Sequence, residues 1–94
     1  MSAVIDAAVT ALSAKVQGFD GVAKFVVNGE GAIMIDDAGV RAGDEEADVT
    51  LSADADVFEA ILNGEMNPTT AFMTGKLSVD GSMGMAMKLA SVLG

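Results

Sequence analysis

Residues 66–93, "MNPTTAFMTGKLSVDGSMGMAMKLASVL", change their structural period twice. Asn67 followed by Pro68 reads as an N-cap with proline at the first helical position, where the missing N–H is not needed. The helix this starts is short, because Gly75 closes it. "KLSVD" (76–80) then alternates, and Leu77 and Val79 face the same side. Gly81 breaks that strand, Ser82 can cap, and a final helix runs to about Leu93. One strand is therefore placed between two helices near the end of the chain.

Working outward from this stretch, residues 2–17 carry Ile5, Ala8, Val9, Leu12 and Val16 at helical spacing, and "GFDG" (18–21) ends the pattern. From residue 23 to 52 the period falls to two. "KFVVN" (24–28) and "AIMID" (32–36) flank the tight turn "GEG". "DDAG" (36–39) makes a second turn into a short strand, "VRAG" (40–43). After the loop "DEEAD" comes "ADVTLSA" (47–53), with Ala47, Val49 and Leu51 on one face and Asp48, Thr50 and Ser52 on the other. Residues 54–63 return to helix, capped by Asp54 or Asp56, with Val57, Phe58, Ile61 and Leu62 as its buried stripe and Gly64 as its stop. A chain of 94 residues is expected to form one domain. The order predicts an α+β fold, a five-stranded, mainly antiparallel sheet covered on one face by helices.

The final helix is too apolar for a helix with one buried side. On a wheel, Gly84, Lys88 and Ser91 fall within about 60°, and the remaining apolar positions span about 220°. An ordinary surface helix needs little more than about 100°. Three partners could meet the excess: other elements of the same chain, a second protein or copy, or a ligand in an apolar cavity. Four of the seven methionines lie between Met73 and Met87. Methionine adapts to irregular partners and also fills core gaps, so it does not decide among the three.

Composition excludes several functions. The net charge is −9, from 14 acidic and five basic residues, which argues against a nucleic-acid partner. The basic residues Lys15, Lys24, Arg41, Lys76 and Lys88 are scattered. Cysteine and histidine are both absent, which removes disulfides, thiolate or imidazole metal sites and the Cys–His and Ser–His–Asp mechanisms. "NGEGAI" is not a GxGxxG loop, "DGSMG" is not a GxSxG elbow, and no phosphate-binding loop is present. Nine of the 14 acidic residues fall between Asp36 and Glu59, in turn-like segments that read as a solvated face rather than a metal site. No enzymatic activity, cofactor or metal is expected. No apolar run approaches the length of a membrane span, Asp6 interrupts any secretory pattern, and "VLG" is not a peroxisomal tripeptide, so a cytoplasmic protein is expected.

"LNGEMNPTTAFMTGKLSVDGSMGMAMKLASVL" closely resembles the C-terminal half of the sterol carrier protein 2 family, the nonspecific lipid-transfer domains. The shared pattern is approximately G-x-x-N-P-x-x-A-F-x-x-G-K-L-x-x-x-G-x-M-x-x-A-x-K-L. Gly64, Asn67, Pro68, Ala71, Phe72, Gly75, Lys76, Leu77, Gly81, Met83, Ala86, Lys88 and Leu89 match it. A looser likeness continues through "FVVNGEGAIMID" and "ADVTLSADADVFEAILNG". The resemblance implies an apolar tunnel between sheet and helices that takes fatty acids, acyl-CoAs, phospholipids or sterols. Carried onto matching positions, Phe72, Met83, Ala86, Met87 and Leu89 become candidate lining residues. Phe58, Ile61, Leu62, Met66 and Met73 join them by neighbourhood and apolarity, and each is also a position for plain core. This sequence is shorter than the eukaryotic members of that family, ending with the final helix, so the tunnel the resemblance implies is expected to be open on one side or closed by a partner. The expected partner is a lipid or acyl ligand, bound by a monomer with at most transient membrane contact. The alternative is an interaction or homodimerisation module that uses the apolar flank of helix 82–93.

Overall fold

Helices pack on one face of a five-stranded sheet in the computed structural model, which describes residues 3–16 and 18–93. The elements are α1 (Ala3–Lys15), β1 (Ala23–Asn28), β2 (Gly31–Asp36), β3 (Gly39–Ala42), β4 (Val49–Asp54), α2 (Ala55–Leu62), α3 (Pro68–Met73), β5 (Leu77–Gly81) and α4 (Met83–Leu93). The expected helix 2–17 is α1 from Ala3 to Lys15; Val16 follows the helix, and Ser2 and Gln17 lie outside the described residues.

The strand order is β3-β2-β1-β4-β5, with β1 and β4 parallel at the centre and the other neighbours antiparallel. The sheet is thus mainly antiparallel, as the alternation predicts. Register puts Phe25 opposite both Ile33 and Leu51, and Leu51 opposite Val79. Opposed residues share a face, so one apolar layer runs from Ile33 to Val79 across four strands. Ile5, Ala8, Leu12 and Val16 of the N-terminal segment and Val57, Phe58 and Ile61 of α2 are buried against this layer. Phe25 and Phe58 meet there with ring centroids 4.4 Å apart and tilted by 49°.

The opposite face carries Lys24, Thr50, Ser52, Ser78 and Asp80 by the same register argument. It is not wholly wet. From the β3 edge to β4 the chain must cross β2 and β1, and residues 43–48 make that crossing over the outer face. Lys24 of β1 donates to Asp44 at 2.8 Å, and the Glu45 N–H lies 3.5 Å from the Met34 sulfur. Met34, which the pleat aims away from the helices, is consequently 0% exposed. Alternation alone does not foresee a methionine sealed on the polar face.

Two local expectations change. The strand read from Ala47 begins at Val49, because Asp48 is tied to the start of β1 first. Its N–H donates to the Val22 carbonyl at 2.8 Å, and its carboxylate accepts the Val22 N–H at 3.2 Å. Asp54 does occupy the N-cap of α2, but its side chain caps nothing; it accepts from Asn28 Nδ2 at 3.0 Å instead. A bond to the neighbouring parallel strand replaces the local one.

Gly81 shows why its position needs glycine. Its φ is +102°, and a Cβ there would run into the Asp48 carbonyl oxygen. The left-handed backbone and the close approach both exclude a larger side chain. This residue ends β5 and lets Ser82 start α4.

The acidic turn after β2 is internally paired. Arg41 donates to Asp36 at 2.7 Å and reaches Glu45 at 3.5 Å. The Arg41 hydrogen bond, helped by the Ala38 N–H, holds the Asp36 carboxyl below the usual carboxylate range. A lowered folded-state pKa contributes stability above the ordinary carboxylate pKa that is lost as pH falls through the lowered one. Replacing Arg41 with alanine is expected to raise the Asp36 pKa toward its ordinary value, read by NMR titration of its carboxyl. An unchanged pKa would show that the Ala38 N–H suffices.

Candidate functional site

The two helices of the opening stretch stand on either side of β5. In α3, Asn67 Oδ1 accepts the Thr69 N–H at 2.8 Å, which fixes the first turn. The helix ends in a Schellman closure: the Lys76 N–H donates to Ala71 O at 2.8 Å, and the Gly75 N–H to Phe72 O at 3.2 Å. Gly75 has the required left-handed φ of +79°. Pro68 and Ala71 are buried, which turns Phe72 and Met73 outward at 41% and 79% exposure. In α4, Ser82 Oγ accepts the Met85 N–H at 3.3 Å, and Ala86, Leu89 and Leu93 are buried.

α4 carries two apolar faces. Leu89 and Leu93 enter the core, with Ala86 at its margin. Met83, Met87 and Ala90 form a second flank that faces α3 across a groove of about 260 Å³. Leu51, Leu77 and Val79 make its floor, and Pro68, Thr69, Phe72 and Met73 its far wall. Among the described residues, no charged side chain lines it, and Thr69 supplies the single side-chain hydroxyl. Its volume lies just under the roughly 300–1,000 Å³ usual for ligand pockets. A neighbouring hollow shares Pro68, Thr69, Met87 and Ala90 with it and adds the polar Asn67 and Ser91.

The structure brings together Phe72, Met73, Met83, Ala86 and Met87 of the candidate residues. It places the other five elsewhere. Phe58, Ile61 and Leu89 are 0% exposed in the core. Leu62 is half-buried beside a separate hollow between α1 and α2, which Phe58 also lines. Met66 is half-buried against the core ahead of α3. Ala90, Leu77, Val79, Thr69, Pro68 and Leu51 line the groove without having been singled out. The wheel held a signal for Ala90, which falls between Met83 and Ala86, and alternation held one for Leu77 and Val79. Leu51 needed the β4–β5 register, which no local pattern gives.

The charges stay outside. Lys88, on the polar stripe of α4, lies 4.0 Å from Asp20, and Lys15 donates to the Leu93 carbonyl at 3.3 Å. Among the described residues, no three carboxylates converge on a point that could hold a metal ion. No helix among them is long and apolar enough to cross a membrane.

A mixed sheet with helices on one face, opening beside its edge strand into an apolar groove, defines a small α+β domain with a candidate site for an apolar molecule. The chain belongs to the SCP-2 sterol transfer family, whose profile matches residues 3–94. Hydroxysteroid dehydrogenase-like protein 2 of Xenopus laevis is 39% identical over 87 residues, covering 84% of this chain and 21% of the relative. Sterol carrier protein 2 of Gallus gallus is 44% identical over 68 residues, covering 71% of this chain and 11% of the relative. The chain thus spans a small part of the length of the curated relatives it matches. A solution structure of sterol carrier protein 2 from Aedes aegypti, in complex with the C16 fatty acid palmitate, superposes with a TM-score of 0.77. It is 20% identical, with 99% of this chain and 96% of that chain covered, and it shows the shared fold.

Proposed function

We propose that this chain binds lipids such as fatty acids, acyl-CoAs, phospholipids or sterols, with the acyl or ring portion lying in the groove between α3 and α4. The observation that carries this reading is the second apolar face of α4, which turns Met83 and Met87 away from the core and into a groove with no charged lining. The family assignment and the palmitate held by the Aedes aegypti relative support it. Phe72, Met73, Met83, Ala86 and Met87 are the residues proposed to touch ligand, with Ala90 and Thr69 added. The polar end of the ligand would reach the hollow at Asn67 and Ser91. Phe58, Ile61, Leu62, Met66 and Leu89 act behind this surface, as the packing that holds it.

The chain itself performs no catalytic step in this reading. It works inside the cell as a monomeric carrier, touching membranes briefly to load or unload, or it presents lipid to a catalytic partner. With few polar groups to choose among ligands, affinity follows chain length. Each added methylene is expected to contribute up to about 0.8 kcal/mol, roughly fourfold in Kd, until the groove is filled. Native mass spectrometry of protein purified from cells, followed by lipid extraction, tests the reading. Protein that arrives empty and also ignores a series of fluorescent acyl probes would overturn it.

A further inference from the structure

The methionines are sorted by exposure in a way that packing does not require. Of the six that follow Met1, Met34 is 0% exposed beneath the crossing segment, and Met66 and Met85 are half-buried against the core. Met85 also packs over the backbone of Gly21, where even a Cβ would meet its methyl group. The other three, Met73, Met83 and Met87, are 79%, 48% and 68% exposed, and all three line the one groove. Methionine oxidation follows access to the sulfur, and it turns a flexible apolar side chain into a polar one. A leucine of similar volume would line the groove equally well without this sensitivity.

We propose that Met73, Met83 and Met87 form an oxidation site at which a peroxide converts the groove rim to sulfoxide and releases the lipid. The inference rests on the lipid reading above. In each event the thioether sulfur gives an electron pair to one oxygen of hydrogen peroxide. A sulfur–oxygen bond forms and the O–O bond breaks. The second oxygen leaves as water after taking up the proton. Sulfur is oxidised by two electrons and the peroxide is reduced. Methionine sulfoxide reductases reverse the change, so the lesion can act as a switch.

The consequence follows from the lining. A sulfoxide oxygen is a strong hydrogen-bond acceptor, and among the described residues the Thr69 hydroxyl is the one side-chain donor in the groove wall. With lipid bound, the new oxygens lose water and Thr69 can partner at most one of the three, so burying those left unpaired opposes binding by about tenfold or more. In the empty groove the oxygen stays hydrated. Oxidation therefore weakens lipid binding, and by reciprocity bound lipid shields the same sulfurs.

The experiment treats the full chain with graded hydrogen peroxide, with and without a fluorescent long-chain fatty acid bound. Oxidised sites are mapped by peptide mass spectrometry, affinity for the same probe is measured, and far-UV circular dichroism follows the fold. Met73, Met83 and Met87 are expected to oxidise about tenfold or more faster than Met34, and more slowly when the probe is bound. Probe affinity is expected to fall about tenfold or more with the fold retained, and to return after reductase treatment. The triple variant M73L/M83L/M87L, compared only with itself, is expected to bind the probe equally before and after peroxide, whatever affinity it starts from. Should the triple variant misfold, the single variants M73L and M87L are each expected to lose less affinity on peroxide treatment than the unmodified protein, since one rim sulfur is gone. Met34 or Met85 oxidising as fast as the rim, an unchanged affinity after rim oxidation, or equal loss in the leucine variants overturns the proposal. If the untreated protein ignores the probe, the lipid reading itself fails and this inference goes with it. If the untreated and oxidised proteins bind alike, this inference fails alone.

Discussion

Ala90→Trp is expected to abolish acyl binding and leave the protein folded. Ala90 lies on the groove flank of α4 and is half-buried, so a larger side chain there projects into the groove rather than the core. An indole that excludes about four methylenes of ligand removes about 3 kcal/mol, or roughly a hundredfold in Kd. Position matters more than bulk in this design. Ala86 lines the same groove but is only 4% exposed and joins the core with Leu89 and Leu93. A tryptophan at Ala86 would strain the core by about 1–3 kcal/mol and confuse lost binding with lost structure. Titration of a fluorescent fatty acid, with thermal unfolding as the control, decides the matter. Undiminished binding in a folded Ala90→Trp protein would place the ligand somewhere else.

The second large effect separates two phenylalanines that share an apolar label. Phe58→Ala removes a 0% exposed ring that packs on Phe25. Such a cavity costs about 3–5 kcal/mol. That is a large part of the 5–15 kcal/mol that stabilises a typical domain, and for a chain of this size it lowers Tm by more than about 15 °C. Phe72→Ala removes a 41% exposed ring from the groove wall. It is expected to change stability by less than about 1 kcal/mol and to weaken acyl binding by about tenfold. Urea unfolding and probe titration on both variants give a crossed result. If Phe58→Ala binds poorly while losing no stability, the core assignment of that ring is wrong.

The sequence was most legible where the pattern was local. Asn67–Pro68, Gly75 and Gly81 mark boundaries through the backbone geometry they permit, and α3, β5 and α4 fall between them. The excess apolar arc of α4 is legible in the sequence as apolar surface beyond one core face, and Met83 and Met87 occupy it. What the residues do not encode locally is adjacency. Alternation assigns Leu51 a side of the sheet, but its place under the groove depends on the parallel β1–β4 pairing and the β4–β5 register. Apolarity likewise predicts that Phe58, Ile61 and Leu89 leave water without saying which side of a helix they leave it from. Met34 is a further case, since its burial depends on a chain crossing created by the strand order. The sterol carrier protein 2 resemblance supplied the expectation of a cavity, which the wheel alone had left as one of three options.

The strand that floors the groove has an edge position. Among the described residues, β5 pairs with β4 on one side and with no strand on the other, whereas β1 and β4 are held on both. Regions with fewer cooperative neighbours open at lower free energy than the global transition. β5 and α3 should therefore open before the sheet's centre, while α4 stays anchored through Leu89 and Leu93 and the Phe25–Phe58 contact stays closed. Amide hydrogen exchange is expected to run faster across 77–81 than across 23–28, and to slow at 77–81 when an acyl chain is bound. Loading would then proceed through brief separation of the edge, with the body of the sheet serving as the fixed frame to which it returns.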